Sequence, residues 1–200
     1  MIAVDGRKIN PKRTGTMFHS HSYHRFFEGY EESYELRPDG KTRIRRVYTG
    51  NHYAEQGSRK KQILTRTLQS LLTAAALLLF LTAGNLTCGA NKAWYVNIPQ
   101  ALSIIFLFFV VIGLFCSWTS GGHMEIRSYR GSHERIEWSS RALTWALAAA
   151  GFGSLLYLIF HLSSTGSFLA LLDAGMTFAA SLSVYAVMRL EKNKEFEVLT

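Results

Sequence analysis

Cysteine and acid are both scarce in this chain, and so are the short motifs that announce soluble catalysis. Two cysteines, Cys88 and Cys116, are present in 200 residues. Two thiols build neither a C-x-x-C redox motif nor a multi-cysteine zinc site. They fall near the far ends of successive apolar runs, so an antiparallel helical pair puts them about 30 Å apart. That separation excludes a disulfide, and both are expected to serve as small apolar side chains. The phosphate-cradling G-x-x-x-x-G-K-[ST] loop, the G-x-S-x-G elbow and H-E-x-x-H are all missing, so the usual routes to phosphoryl transfer, serine hydrolysis and zinc proteolysis are absent. Asp and Glu total 14 against 22 Lys and Arg, for a net charge of +8. A 7–15-residue apolar stretch is also missing from the opening MIAVDGRKIN. A cleavable signal peptide is therefore not expected, and the first apolar run is expected to act as the insertion signal.

The chain does have four long apolar runs, at about 64–86, 96–118, 142–162 and 168–188. Each matches the roughly 20 residues that one helical membrane crossing needs. The expected fold is an all-α membrane protein. It is a bundle of four transmembrane helices arranged as two helical hairpins, over residues 63–190. Of the 22 Lys and Arg, only Lys92 falls on the side of the two short outer connections. By the positive-inside rule both termini and the middle loop are then cytoplasmic. A bacterial plasma membrane is the expected location. The basic surplus is what cytoplasmic flanks of membrane helices carry, and it attracts anionic lipid. Nucleic acid is not an expected partner.

Residues 1–25 read as a basic tail and 191–200 as a second tail. Between 26 and 62, the Arg37-Pro38-Asp39-Gly40-Lys41 sequence reads as a turn, with Pro presetting φ and Gly accepting the left-handed position. A β-hairpin about it sets Tyr30 against Tyr48, Glu32 against Arg46, Tyr34 against Ile44 and Glu35 against Arg43. Acidic then faces basic across the pair. The middle loop from His123 to Trp138 suits either a second hairpin or a short amphipathic helix on the membrane face. His19, His21 and His24, with His52 nearby, have the residue type for zinc but lack cysteine or carboxylate companions at ligand spacing. No metal or cofactor is expected.

A weak internal repeat, Thr65-Arg66-Thr67-Leu68 against Ser140-Arg141-Ala142-Leu143, suggests two hairpins inserted in the same sense. The second run is bulky all round and suits a lipid-facing span. In the third and fourth runs, Ala146 and Ala150, and Gly175, Ala179 and Ser183, recur every four residues. Small residues at that spacing let helix backbones approach closely.

Asp173 is the acid placed well inside a run. An ionised Asp near the bilayer centre costs roughly 2.5–3.5 kcal/mol on insertion scales, which makes it the first candidate for a site. Thr177 continues its face one turn on. His161, Asn97 and Gln100 sit at similar depth, and His161 is the expected partner of Asp173. The leading expectation is a non-enzymatic subunit or accessory protein of a membrane complex. Its protein partner or second copy is met through the cytoplasmic hairpin or the last two spans. The alternatives are a small transporter or channel using Asp173, or a membrane enzyme acting on lipids.

Overall fold

The computed structural model describes residues 30–36, 42–120, 123–161 and 167–199. The Pro38-Asp39-Gly40 turn and the His19, His21 and His24 cluster lie outside the described residues. Strands β1 (Tyr30–Leu36) and β2 (Thr42–Tyr48) open the chain, followed by β3 (His52–Glu55). Helix α1 (Arg59–Gly84) leads through a tight turn at Gly89–Lys92 into α2 (Trp94–Thr119). Strand β4 (His123–Met124), helix α3 (Ile126–Phe160), helix α4 (Ser167–Lys192) and strand β5 (Phe196–Leu199) complete it. All four helices are long and apolar enough to cross a membrane.

The β1–β2 pairing is antiparallel, with Tyr30 opposite Tyr48, Glu32 opposite Arg46, Tyr34 opposite Ile44 and Glu35 opposite Arg43. This is the register expected from the Pro-Asp-Gly turn. A second sheet joining β3 to the middle loop and the C-terminal segment is not among the expectations. It is three-stranded, in the order β4-β3-β5, with Tyr53 of β3 opposite both Met124 of β4 and Val198 of β5. The segment expected to be a C-terminal tail is therefore a sheet edge. Because β3 precedes α1, β4 joins α2 to α3 and β5 follows α4, this sheet gathers four helix ends on one side of the bundle. That side is the strand end of the bundle.

The middle loop is largely helical. Helix α3 begins at Ile126, not near residue 142, and residues Arg130–Glu134 within it form a wider π-helical turn. The polar stretch before residue 142 reads as loop by hydropathy. It is helical because it continues the apolar span beneath it, and the Ser132 hydroxyl donates back to the Ser128 carbonyl at 2.7 Å. Helix α2 likewise starts earlier than residue 96, at Trp94, so Pro99 stands inside it, in the second turn. Proline has no N–H for the Tyr95 carbonyl. Gly153 of α3 faces that carbonyl, with only 3.2 Å between the oxygen and the position a Cβ would take.

Helices α3 and α4 form the central pair, with α1 laid on α4 and α2 on α3. Helices α1 and α2 touch little, so the first hairpin is splayed instead of closed. Gly113 of α2 allows the α2–α3 approach: a Cβ there would stand 2.6 Å from Ile136 Cγ1. Val110, Leu114, Ile136, Leu143, Leu147 and Val184 fill the core. Hydroxyls fold back on their own helices, as in Thr73 to the Gln69 carbonyl at 2.8 Å and Ser70 to the Arg66 carbonyl at 2.9 Å. That leaves few polar groups facing outward, where Leu78, Phe108, Phe115, Trp145, Phe152 and Leu182 are exposed. An apolar exterior of this extent is a surface for something other than water.

Candidate functional site

Two buried carboxylates occupy opposite ends of the bundle. The first is Asp173, six residues into α4 at the end away from the strands, and fully buried. The Ser154 hydroxyl of α3 donates to its Oδ2 at 2.5 Å. Its Oδ1, also buried, has no hydrogen-bond partner among the described residues. Thr177 is buried one turn on and donates to the Asp173 backbone carbonyl at 2.8 Å. Ser181 then crosses to the Thr144 carbonyl of α3 at 3.0 Å. The polar stripe of α4 is therefore a seam against α3. Chemically it offers one open acceptor, Oδ1, in an apolar surround.

The other residues expected near Asp173 are dispersed. His161 caps α3, exposed, with its ring stacked on Tyr157 at 4.2 Å. It is Ser154, two helical turns earlier, that supplies the hydrogen bond to the carboxylate. Gln100 donates to Asn91 Oδ1 at 3.0 Å, and Asn91 in turn donates to the Ala83 and Leu86 carbonyls. That set ties the α1–α2 turn to α2. Asn97 is exposed.

The small-residue stripe of α4 also faces elsewhere. Gly175 is exposed, with nothing within 4 Å of where its Cβ would be, and Ala179 and Ser183 are half-buried. Ala170, Ala174 and Ala180 are the buried small residues of α4 instead; Ala170 clusters with Cys88 and Ala90, and Ala180 with Ala76 and Phe80 of α1. Burying the polar stripe with its hydrogen bonds rotates Gly175 outward. On α3, Ala150 is buried and Ala146 half-buried. The close approach of that helix to α4 is at Gly151, against the Phe178 ring.

The second carboxylate is Glu191, at the strand end of α4. By sequence it belongs to the polar tail, yet it is 1% exposed. Its Oε1 accepts from His133 Nδ1 at 2.8 Å. Its Oε2 accepts from Gln69 Nε2 at 2.6 Å and from Lys194 Nζ at 2.6 Å. Lys194 closes the ring by donating to Gln69 Oε1 at 3.2 Å. The ring joins α1, the π-helical turn of α3, α4 and the link to β5. Next to it, Arg66 of α1 pairs with Glu55 of β3 at 2.9 Å. No local signal could have found this ring, because its members are charged or amide residues scattered over 125 positions.

Aromatic side chains roof the ring. Tyr53 of β3 stacks on Tyr129 at 4.5 Å, and Phe196 of β5 stands edge-on to Tyr129 at 5.0 Å and to His133 at 4.8 Å. Farther out, the Tyr48 hydroxyl accepts the Ile126 backbone N–H at 3.2 Å, and Tyr30 donates its hydroxyl proton to Glu125. That bond pushes the Tyr30 hydroxyl up to about 12 from the ordinary 10.0. Both sheets are thus fastened to the start of α3. Among the described residues, no group of three or more His, Cys, Asp or Glu is placed to hold a metal ion. Compared with protein-family models, with curated proteins and with solved structures, the chain gives no match.

Proposed function

We propose that this chain is a non-enzymatic subunit of a membrane complex, in which a four-helix membrane bundle holds a β platform at the cytoplasmic surface. The observation that carries the reading is the attachment of that platform. Sheet β4-β3-β5 is fixed to the bundle by buried ionic and aromatic contacts, while β5 pairs only with β3 among the described residues. Val198 on this edge is exposed. A rigidly held, unpaired strand edge is a template for strand addition by another chain. The outward apolar faces of all four helices support the membrane reading, and the excess of Lys and Arg at the strand end supports its cytoplasmic placement.

Native mass measurement after extraction in mild detergent tests it. The expected particle exceeds one 22.5 kDa chain, and Val198→Lys releases the chain alone. A wild-type particle that is a lone chain in every mild detergent, with a photoreactive group at Val198 labelling only lipid or solvent, would sink the reading. A second reading, transport of a proton or small cation, is supported by the open Oδ1 of Asp173. Asp173→Asn separates the two: unchanged cation flux in vesicles removes the transport reading.

A further inference from the structure

A cleft of about 490 Å³ opens at the strand end between the start of α1 and the end of α4. This is within the range of roughly 300–1,000 Å³ typical of small-ligand sites. We propose that it holds the headgroup of a phospholipid bearing a primary amine, with the phosphate on Lys61 and the ammonium on Glu195. This rests on the membrane reading of the four helices.

The walls are built, not incidental. On one side β3 turns into α1 through Gly57, whose φ of 110° lies where a side chain is strained. Gln62 pins that turn by donating to the Glu55 carbonyl at 2.8 Å. On the other side the α4–β5 link carries Glu195, whose carbonyl accepts the Gln56 N–H at 2.9 Å. The two walls are thus hydrogen-bonded to each other at the back of the cleft.

Charge then selects the occupant. Four ionic side chains line the space: Glu55, Lys61, Lys194 and Glu195. Glu55 is neutralised by Arg66, and Lys194 by Glu191. Among the described residues, Lys61 and Glu195 are left without an ion pair, one of each sign. The first turn of α1 holds no acid, only Arg59, Lys60 and Lys61. Its outward N–H groups and positive dipole end therefore favour an anion on the Lys61 side. A ligand with a phosphate at one end and an ammonium at the other satisfies both sides, and a singly anionic headgroup does not.

Below the cleft, α4 carries short side chains. Leu190 lines the cleft, and on the same face of α4 lie Ala186, Ser183 and Ala179, all half-buried. A face of short side chains below the cleft suits an acyl chain, which a water-soluble ligand would not use. This favours a lipid over a free zwitterion as the occupant.

The test uses the full chain in detergent, offered equal amounts of phosphatidylethanolamine, phosphatidylglycerol and phosphatidylcholine and read by native mass spectrometry. Phosphatidylethanolamine is expected to be retained over the other two. Lys61→Ala lowers that retention about tenfold, the equivalent of one charge-assisted hydrogen bond. Glu195→Gln moves the preference to phosphatidylglycerol. Both side chains lie at the surface, so both variants keep the wild-type melting temperature. Equal retention of the three lipids, unmoved by either substitution, overturns the proposal. So does displacement of the lipid by soluble phosphoethanolamine, which would assign the cleft to a free zwitterion. A chain that stays soluble with neither detergent nor vesicles overturns the membrane reading instead, so the two failures are distinct.

Discussion

His133 Nδ1 stands 2.8 Å from Glu191 Oε1, across 58 residues of chain. The contact joins the π-helical turn of α3 to the last turn of α4, beneath the aromatic roof. An ionised carboxylate oxygen only accepts, so in this contact the proton sits on Nδ1.

Glu191→Gln removes the negative charge at the centre of that ring and leaves the Lys194 ammonium, 6% exposed, without compensation. Loss of one partner from a buried ion pair costs about 3–5 kcal/mol. Thermal unfolding in detergent is expected to show a loss of that size. Glu191→Gln with Lys194→Met recovers a large part, because the stranded cation is gone. Equal losses in the single and double variants would show that Lys194 is not the group Glu191 neutralises.

Ser154→Ala strips the Asp173 carboxylate of its hydrogen bond inside an apolar seam. A buried polar group left unsatisfied costs about 1–3 kcal/mol. Asp173→Leu combined with Ser154→Ala is expected to be at least as stable as Ser154→Ala alone, since neither polar group then remains. A double-mutant cycle in chemical unfolding reads the coupling, and additive effects would contradict the geometry.

Gly113→Ala and Gly175→Ala are expected to move stability in opposite directions. Alanine favours helix over glycine by up to about 1 kcal/mol. At Gly175 nothing stands in the way of a Cβ, so that gain is realised. At Gly113 the new methyl meets Ile136 Cγ1 at 2.6 Å, and overpacking of this kind costs about 1–3 kcal/mol. Melting temperatures of the two variants decide it; a lower value for Gly175→Ala would instead place a second helix against that face.

Tyr30 holds its proton more tightly when folded than an ordinary tyrosine does, about 12 against 10.0. Its bond to Glu125 therefore stabilises fully below pH 10 and is lost as pH rises through about 12. Burial also raises the Tyr129 hydroxyl, so tyrosinate absorbance is expected to show late-titrating tyrosines, with one fewer of them in Tyr30→Phe. A titration curve that Tyr30→Phe leaves unchanged apart from its total amplitude would contradict the contact.

The features legible in the sequence are those governed by neighbouring residues. Four runs of apolar length announce four helices. A Pro-Asp-Gly turn with acids on one arm and bases on the other announces β1 and β2 in their observed register. The second sheet was hidden because its strands are four, two and four residues long. Its pairings also span about seventy residues from Tyr53 to Met124 and twice that from Tyr53 to Val198. The Glu191 ring was hidden for the same reason. Asp173 stood out because one acid in an apolar run is conspicuous. Its partner did not, because any of several hydroxyls on α3 could have met it, and only the rotation of α4 selects Ser154.

The π-helical turn at Arg130–Glu134 has a geometric result for the whole strand end. A π turn carries one residue more than an α turn, and each residue turns a helix by about 100°. The stretch from Ile126 to Tyr129 is therefore swung by about that angle from where an unbroken α-helix would place it, while the apolar span below keeps its phase. Tyr129 lands on Tyr53 because of that offset. Deleting one residue from this turn would leave two correctly formed halves that no longer point at each other. The helical half would keep its packing and the sheets would come loose, which makes this single extra residue the clutch between the two parts of the molecule.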